Sequence, residues 1–356
     1  MIITVELKDR SYDVMIDEKG SFPGLLKIKF PHSNFVLITN DTIKQLYESV
    51  ISEWSGVLDL KTFLVKDGET YKTVGTWKSI IDFLLKMKLD RNTVILAFGG
   101  GIVGDIAGFA ASTFLRGVNY VQIPTTLLAM VDSSVGGKTG VNHPMGKNLI
   151  GSFYQPKLVW INTKFLDTLP KREFDGEYAE VFKYAFIGEK SMFDFIYDNH
   201  VKIKKRDKLL LQEAIKLSIE IKARIVSMDE KESGARALLN FGHTFGHALE
   251  HFYNFKGIIH GEGVYWGIKA AVELGKNIGT IPDEYLPIYQ KMVSKQVLPV
   301  LNPRPEISKL YESMFSDKKV RAGKIRFIVP TKPGSSIICD NVSEKDIFKT
   351  LDAVFK

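Results

Sequence analysis

The first half of the chain alternates short apolar runs with amphipathic stretches, and this alternation constrains the fold more than any other feature. Residues 35–38, 94–98 and 120–123 are apolar or nearly so, whereas residues 71–87 show the spacing of an amphipathic helix. Continuous apolar strands that alternate with helices form a mostly parallel sheet that is covered on both faces. The sequence therefore predicts an α/β fold whose N-terminal domain contains a Rossmann-like, mostly parallel sheet.

The pattern of apolar and polar residues changes near residue 162. In the second half helical periodicity dominates, as in residues 209–228, and two strand-like runs follow at 325–329 and 336–339. A chain of 356 residues is long for a single core and fits two domains. We predict an α/β domain over residues 1–162 and a mainly α-helical domain over residues 163–356.

The composition is typical of a soluble globular enzyme, with 45% apolar and 25% charged residues. No apolar run approaches the roughly 20 residues of a membrane span, and the N-terminus lacks the charged and apolar blocks of a signal peptide. The single cysteine, Cys339, cannot form an internal disulfide, which suits a reducing cytoplasm. We therefore expect a cytoplasmic enzyme that does not bind a membrane.

The formal net charge of +7 raises the question of nucleic acid. The basic residues are scattered, with local runs at 202–208 and 318–324, and no aromatic residues interleave to form a stacking platform. We therefore expect no nucleic-acid partner. An excess of Lys and Arg also suits an enzyme whose substrate carries phosphate and carboxylate groups.

Residues 236–247 contain two imidazoles four positions apart, those of His243 and His247. In a helix this spacing places both rings on one face, so helical spacing alone would make them joint ligands of one ion. His260 and Glu180 add a further imidazole and a carboxylate, and two His with one carboxylate form an open divalent-metal site. The motif is not that of a zinc peptidase, because Thr244 stands where such an enzyme holds its general base.

A glycine-rich turn follows the apolar run at 94–98. Gly99, Gly101 and Gly104 fit the G-x-G-x-x-G spacing, which lets backbone N–H groups and a helix dipole approach a diphosphate. The acidic residue expected near the end of the next strand is absent, so a tight turn without a nucleotide remains an alternative. Asn40, at the end of an earlier strand, could supply the ribose contact instead.

A second glycine-rich turn covers residues 133–139. It is not a P-loop, because Asp132 occupies the position of the first glycine. The turn presents Lys138, with Lys147 and Asn148 a little later, and charge-assisted bonds from such lysines to phosphate are worth about 1.5–3 kcal/mol each. The motifs together indicate a nucleotide, a metal ion and an anionic substrate.

Five segments, in order, closely resemble the 3-dehydroquinate synthase family: residues 67–72, 99–105, 124–139, 146–151 and 239–247. The resemblance implies a homodimer that uses NAD and one divalent metal, Zn²⁺ first and Co²⁺ as the alternative. It implies a lyase that converts a phosphorylated sugar acid, 3-deoxy-D-arabino-heptulosonate 7-phosphate, to 3-dehydroquinate and phosphate in the shikimate pathway. The N-terminal domain would then bind the nucleotide, and the C-terminal domain would bind the metal and the substrate.

The resemblance also implies roles for individual residues. The metal ligands would be Glu180, His243 and His260, which leaves His247 to contact the substrate or relay a proton. The candidate NAD contacts, together with Asn40, are Asp67, Gly68, Glu69, Thr70, Tyr71, Lys72, Gly101, Ile102, Val103, Gly104, Asp105, Thr125, Thr126, Lys138, Lys147, Phe165, Leu166, Asp167 and Thr168. The candidate catalytic and substrate-binding residues are Arg116, Asp132, Lys138, Lys147, Asn148, Lys183, Lys222, Arg236, Asn240 and His247, with Lys319 or its neighbour Lys318.

Two of these positions carry further expectations. Arg116 matches an arginine that, in this family, reaches the phosphate across the dimer interface. Glu177 stands where relatives usually carry glycine. This departure from the family pattern lies in the backbone segment that positions Glu180.

Three other functions remain open at this point. A metal-dependent polyol dehydrogenase would share the fold and the His pair, but it would lack the cationic set of Lys138, Lys147 and Arg236 and would release NADH. A sister sugar-phosphate cyclase would differ in the substrate pocket, where Lys222 and Asn240 keep the dehydroquinate pattern. A non-catalytic basic binding protein would need neither the histidines nor the glycine-rich turn.

Overall fold

A computed structural model of the protein describes residues 1–18, 20–232, 234–296, 298–315 and 325–356. Lys319 and its neighbour Lys318, one of which the resemblance predicts to contact the substrate, lie outside the described residues.

The chain divides into two compact units. The first consists of Met1–Leu169 with Lys222–Lys231, and the second of Pro170–Ile221 with Glu232–Lys356. The predicted boundary at residue 162, between a nucleotide-binding domain and a metal- and substrate-binding domain, stays a prediction.

The strands of the described chain are β1 (Ile2–Val5), β2 (Tyr12–Ile16), β3 (Phe35–Asn40), β4 (Lys61–Val65), β5 (Val94–Gly99), β6 (Asn119–Pro124), β7 (Lys138–His143), β8 (Gly146–Phe153), β9 (Leu158–Ile161), β10 (Phe327–Pro330) and β11 (Ser336–Cys339).

The helices are α1 (Phe22–Lys29), α2 (Asp41–Leu46), α3 (Glu48–Leu58), α4 (Val74–Lys86), α5 (Gly101–Thr113), α6 (Lys171–Ile187), α7 (Lys190–Lys204), α8 (Lys208–Met228), α9 (His243–Phe252), α10 (His260–Asn277), α11 (Leu286–Ser294), α12 (Ile307–Met314) and α13 (Glu344–Phe355).

The first unit is built on a seven-stranded sheet with the order β1-β2-β9-β6-β5-β3-β4. Only the β1–β2 pair is antiparallel, and the other neighbours run parallel. Every residue of β5 is buried, as expected for a strand that is covered on both faces. The predicted α/β fold class with a mostly parallel sheet is confirmed.

The winding of this sheet reverses between β3 and β5. The chain passes from β3 outward to β4 and then returns to β5 on the other side of β3. In doubly wound folds, ligands bind outside the carboxyl ends of the strands at such a reversal. Asn40 and Gly99 end these two strands, so the predicted glycine-rich turn lies where this rule places a ligand.

The second unit is mainly helical, as predicted. It adds the antiparallel hairpin of β10 and β11, in which Phe327 pairs with Cys339. Its core joins Leu249 of α9, Leu274 of α10 and Leu351 of α13. None of the helices in the described part of the chain combines the length and the apolarity that a membrane crossing requires.

Candidate metal centre and active site

Glycines bring three helices of the second unit into unusually close contact. A Cβ atom added to Gly261 of α10 would lie 1.9 Å from the carbonyl oxygen of Gly176 in α6. One added to Gly267 of α10 would lie 1.8 Å from the carbonyl oxygen of Gly242, at the start of α9. These contacts allow side chains from α6, α9 and α10 to converge on one point.

Glu180 of α6, His243 of α9 and His260 of α10 meet at this point. Nε2 of His243 lies 3.5 Å from Oε1 of Glu180, and Nε2 of His260 lies 3.4 Å from the same oxygen. Two ligand atoms that are each about 2.0–2.2 Å from a tetrahedral ion lie about 3.3–3.6 Å apart. The three side chains therefore have the spacing of groups that share one divalent ion.

The Glu180 carboxylate is fully buried, and among the described residues neither oxygen accepts a hydrogen bond of good geometry. The buried ammonium group of Lys183, one helical turn later, forms an ion pair with it. Burial acts to raise the pKa of Glu180, but Lys183, His243 and the contact with His260 outweigh it and hold the pKa well below its usual range. The carboxylate is therefore ionised, as a metal ligand must be.

Both imidazoles are oriented by their second ring nitrogen. Nδ1 of His243 lies 3.1 Å from the carbonyl oxygen of Phe241, and Nδ1 of His260 lies 2.7 Å from Oε1 of Glu250. A metal-binding imidazole usually donates its other N–H group to a carbonyl or a carboxylate, which directs the free nitrogen toward the ion.

Sequence reasoning missed Glu250. Its position seven residues after His243 places it near the same helix face, which was the one available signal.

Contacts with the two carboxylates also control the charge of His260. Burial acts to lower the pKa of His260, but the contacts with Glu180 and Glu250 outweigh it and raise the pKa to about 10. A proton on Nε2 then occupies the position that a divalent cation would take.

His247 lies beside this cluster but outside the Glu180 group. Its ring centroid is 5.3 Å from that of His243 and 5.9 Å from that of His260. His247, Glu250 and His260 could also be considered as a ligand group. In that group, however, Nδ1 of His260 and Oε1 of Glu250 lie 2.7 Å apart, a hydrogen-bond distance, so these two atoms contact each other and do not share an ion.

Other predicted substrate residues of the second unit lie in buried or hydrogen-bonded positions. Arg236 is buried, and Nδ2 of Asn240 donates to Oε1 of Glu232 at 3.0 Å. Glu177 does not interrupt α6. Its neighbour Gly176 supplies the carbonyl oxygen that Gly261 approaches, and a Cβ atom added to Gly176 itself would lie 2.6 Å from Cδ1 of Ile259.

In the first unit, the glycine-rich turn leads into α5. Gly100 occupies the N-cap of α5 without a side-chain hydrogen bond, so the first turn of the helix has backbone N–H groups to offer an anion. A Cβ atom at Gly104 would lie 2.5 Å from Oε1 of Gln122, so this glycine permits close packing of the helix on the sheet. Nearby, the hydroxyl oxygen of Thr125 is buried and has no hydrogen-bond partner among the described residues.

The predicted nucleotide contacts Lys72 and Asp105 form a buried ion pair. Nζ of Lys72 also donates to Oδ1 of Asn148 at 2.6 Å. Burial raises the pKa of Asp105, although the charge of Lys72 opposes the shift. The structure therefore joins two predicted nucleotide residues directly to a predicted substrate residue.

The remaining predicted nucleotide residues of the first unit form two anchored turns. Oδ2 of Asp67 accepts a hydrogen bond from the Thr42 hydroxyl at 3.1 Å. The Tyr47 hydroxyl donates to the carbonyl oxygen of Phe165 at 2.9 Å and lies 2.5 Å from Oγ1 of Thr168. Asn40 uses its side-chain oxygen to cap α2, where it accepts from the Ile43 N–H group.

The predicted substrate residues of the first unit lie in an ion pair, on the β7–β8 hairpin and at the end of a short 3-10 helix. Nζ of Lys222 donates to Oδ1 of Asp132 at 2.8 Å, which pairs two of them. Lys138 and Lys147 are exposed on β7 and β8. Arg116 is exposed at the end of a short 3-10 helix, where its φ of 68° is a costly left-handed conformation that is typical of functional turns.

A doubly wound parallel sheet with a glycine-rich turn, joined in one chain to a helical unit with a His–His–carboxylate cluster, defines the class of protein. It is an enzyme fold that this chain shares with sugar-phosphate cyclases and with alcohol and glycerol dehydrogenases. Within that class, the 3-dehydroquinate synthase N-terminal family matches residues 62–176, and the C-terminal family matches residues 177–320. The chain belongs to the 3-dehydroquinate synthase family, as the resemblance of its motifs predicted.

Individual relatives agree with this placement. The 3-dehydroquinate synthase of Pseudoalteromonas atlantica is 41% identical over 352 residues, which cover 98% of this chain and 99% of the relative. That of Thermodesulfovibrio yellowstonii is 42% identical over 355 residues, with the same coverage of 98% and 99%. A solved structure of 2-epi-5-epi-valiolone synthase from Streptomyces hygroscopicus, with NAD⁺ and Zn²⁺ bound, superimposes with a TM-score of 0.85 at 25% identity and covers 98% of both chains.

Proposed function

We propose that this chain is an NAD- and divalent-metal-dependent carbon–oxygen lyase that converts 3-deoxy-D-arabino-heptulosonate 7-phosphate to 3-dehydroquinate and phosphate. The observation that carries the proposal is the convergence of Glu180, His243 and His260 in a chain that matches its family over nearly its whole length. The reaction would combine a transient oxidation, β-elimination of phosphate, reduction, ring opening and an intramolecular aldol closure.

Glu180, His243 and His260 would hold the metal ion, with a fourth position left for the substrate. The spacing of their ligand atoms and the hydrogen-bonded Nδ1 positions support this assignment. Nitrogen and carboxylate ligands at tetrahedral spacing favour Zn²⁺, with Co²⁺ as the alternative. The relative from Streptomyces hygroscopicus, solved with NAD⁺ and Zn²⁺, has the same fold.

The nucleotide would be held at the reversal of the sheet. The N-terminus of α5 offers backbone N–H groups to the diphosphate. The buried Thr125 hydroxyl, which has no hydrogen-bond partner in the described part of the chain, would contribute a further contact. The turns at residues 67–72 and 165–168 would contribute the remaining contacts.

When bound, the metal ion would polarise a ring hydroxyl, and NAD⁺ would accept and later return a hydride. The chain's own residues would position the substrate and control its protons. Lys138, Lys147 and Arg236 would bind its anionic groups, which both orients the substrate and stabilises the departing phosphate. His247 would transfer a proton, because an imidazole is the side chain best suited to do so near neutral pH.

Four further residues would order the substrate's remaining polar groups. Lys222 is held by Asp132, and both would present defined donors and acceptors to substrate hydroxyls. Asn148 and Asn240 would contribute amide contacts, while Lys183 would keep Glu180 ionised.

The proposal extends to assembly and location. The enzyme would be a homodimer in which the exposed Arg116 reaches the phosphate bound by the partner subunit. The single cysteine suits a cytoplasmic enzyme.

The test is turnover of the heptulosonate phosphate with NAD⁺ at a concentration far below that of the substrate. We expect release of phosphate and formation of 3-dehydroquinate in large excess over NAD⁺, with no accumulation of NADH, because hydride is taken and returned in one site. NADH that accumulates in step with product would identify a polyol dehydrogenase instead. No reaction with this substrate but turnover of another sugar phosphate would identify a sister cyclase.

A further inference from the structure

The hairpin of β7 and β8 carries a break in its register at Asn142. Val141 pairs with Ile150, but His143 pairs with Gly146, so the strands lose their regular pairing around Asn142. Irregularities of this kind redirect the backbone and the side chain, and they are frequent beside active sites. Asn142 has no role in the proposed function.

At this break Asn142 contacts the predicted nucleotide turn and pairs with Thr73. Its backbone N–H donates to the carbonyl oxygen of Lys72 at 2.8 Å, and Nδ2 of its side chain donates to Oε1 of Glu69 at 2.8 Å. The opposite end of the same amide, Oδ1, accepts from the backbone N–H of Asn148 at 2.9 Å. One side chain therefore bridges the nucleotide turn and the segment that carries the predicted substrate contacts.

Two contacts fix the conformation of Asn148. Its φ of 54° lies in the left-handed region, which asparagine adopts more readily than other non-glycine residues. Its backbone N–H donates to Oδ1 of Asn142, and its side-chain Oδ1 accepts from Nζ of Lys72 at 2.6 Å. Lys72 is itself buried and paired with Asp105. The position of Asn148 therefore depends on how well the nucleotide turn is ordered.

We propose that Asn142 is a positioning residue that makes nucleotide binding and substrate binding mutually dependent. This inference rests on the proposed function, because it takes the nucleotide contacts at Glu69 and Lys72 and the substrate contacts at Lys147 and Asn148 from there. A ligand that orders one side of Asn142 lowers the cost of ordering the other side. Such a coupling is reciprocal: each ligand raises the affinity for the other by the same factor.

The experiment measures the dissociation constant of NAD⁺ by calorimetry, with and without saturating inorganic phosphate, on the full-length metal-loaded protein. The ratio of the two constants is the coupling factor. For the unaltered protein we expect a factor of roughly 5 or more, at the lower end of the usual range for coupled sites. Asn142→Ala should bring the factor to within about twofold of 1, although both ligands still bind.

Two further variants sharpen the result. Asn142→Asp keeps the acceptor for the Asn148 N–H group but sets a carboxylate against Glu69, so it should also lose the coupling while preserving the size of the side chain. Met145→Ala, at an 85% exposed position in the turn of the same hairpin, should leave the coupling unchanged.

The ratio separates positioning from a purely structural role. A structural role would weaken each affinity or lower the melting temperature and leave the ratio as it was. A wild-type coupling factor near 1, or a factor that survives in both Asn142 variants, would overturn the inference. If either result is found and the unaltered protein still turns over the heptulosonate phosphate, only the proposed role of Asn142 is wrong. If it neither binds NAD⁺ nor turns over substrate, the proposed function fails.

Discussion

The contact between α9 and α10 offers a sharp test of how the candidate metal centre is assembled. In Gly267→Ala, the new Cβ atom would lie 1.8 Å from the carbonyl oxygen of Gly242 and 2.9 Å from the backbone nitrogen of Gly246. The atoms that the new Cβ would contact all belong to the backbone, so the clash cannot be relieved by the movement of a flexible side chain. The helices must therefore separate by roughly 1 Å or more before ordinary van der Waals contact is restored.

The expected loss of stability follows from two opposing effects. In an unobstructed helix, Gly→Ala stabilises by about 0.5–1 kcal/mol, because glycine loses more backbone freedom on folding. Forcing an extra methyl group into a packed contact costs about 1–3 kcal/mol and more where the backbone must shift. We expect the free energy of unfolding of Gly267→Ala to fall by about 2 kcal/mol or more.

The same displacement should weaken metal binding. His243 follows Gly242 directly and His260 begins α10, so the separation of these helices moves the two imidazoles apart. Metal–ligand distances tolerate only about 0.2 Å.

Denaturant unfolding and metal analysis of the purified variant measure the two effects. Gly56→Ala in α3 is the matched control. A Cβ atom there would meet no heavy atom within 4 Å, so this variant should be as stable as the parent or slightly more stable. Gly267→Ala with parental stability and full metal content would refute the reasoning.

Three further predictions concern side chains of the site. Glu250→Gln should lower metal affinity about 10–100-fold in a chelator competition, because the imidazole of His260 loses its charged partner; an affinity within twofold of the parent would contradict this role. His260→Ala should purify without metal, whereas His247→Ala should keep the metal and lose turnover, and metal analysis that gives the reverse pattern would overturn the ligand assignment. Lys138→Ala should lower kcat/KM by roughly 10–150-fold, the equivalent of one charge-assisted contact, with unchanged metal content; a metal-free variant would show that the lysine serves the ion.

Much of the fold could be predicted because its determinants are local. Apolar runs such as the one in β5 and the glycines that follow it encode a buried strand and a tight turn within a few residues. The order of the motifs was enough to identify the family, which the matched family regions confirm. The ligand assignment of Glu180, His243 and His260 also came from the resemblance, and it stays a prediction.

Local spacing was less informative about the geometry of the site. It favoured His243 and His247 as partners because they are four residues apart on one helix. The tertiary structure instead brings His243 and His260 to the same oxygen of Glu180.

The roles of Glu250 and Asn142 depend on contacts that the sequence did not reveal. Glu250 meets His260 only because α9 and α10 approach each other through glycine contacts. Asn142 meets Glu69, 73 residues away in the chain, at the break in its hairpin register, where Thr73 also pairs with Asn142. The sequence by itself determined the elements, the family and the residue types of the site, because periodicity and turn chemistry act over short distances. Which side chains touch was decided by helix packing and strand register, which depend on atoms distant in the chain.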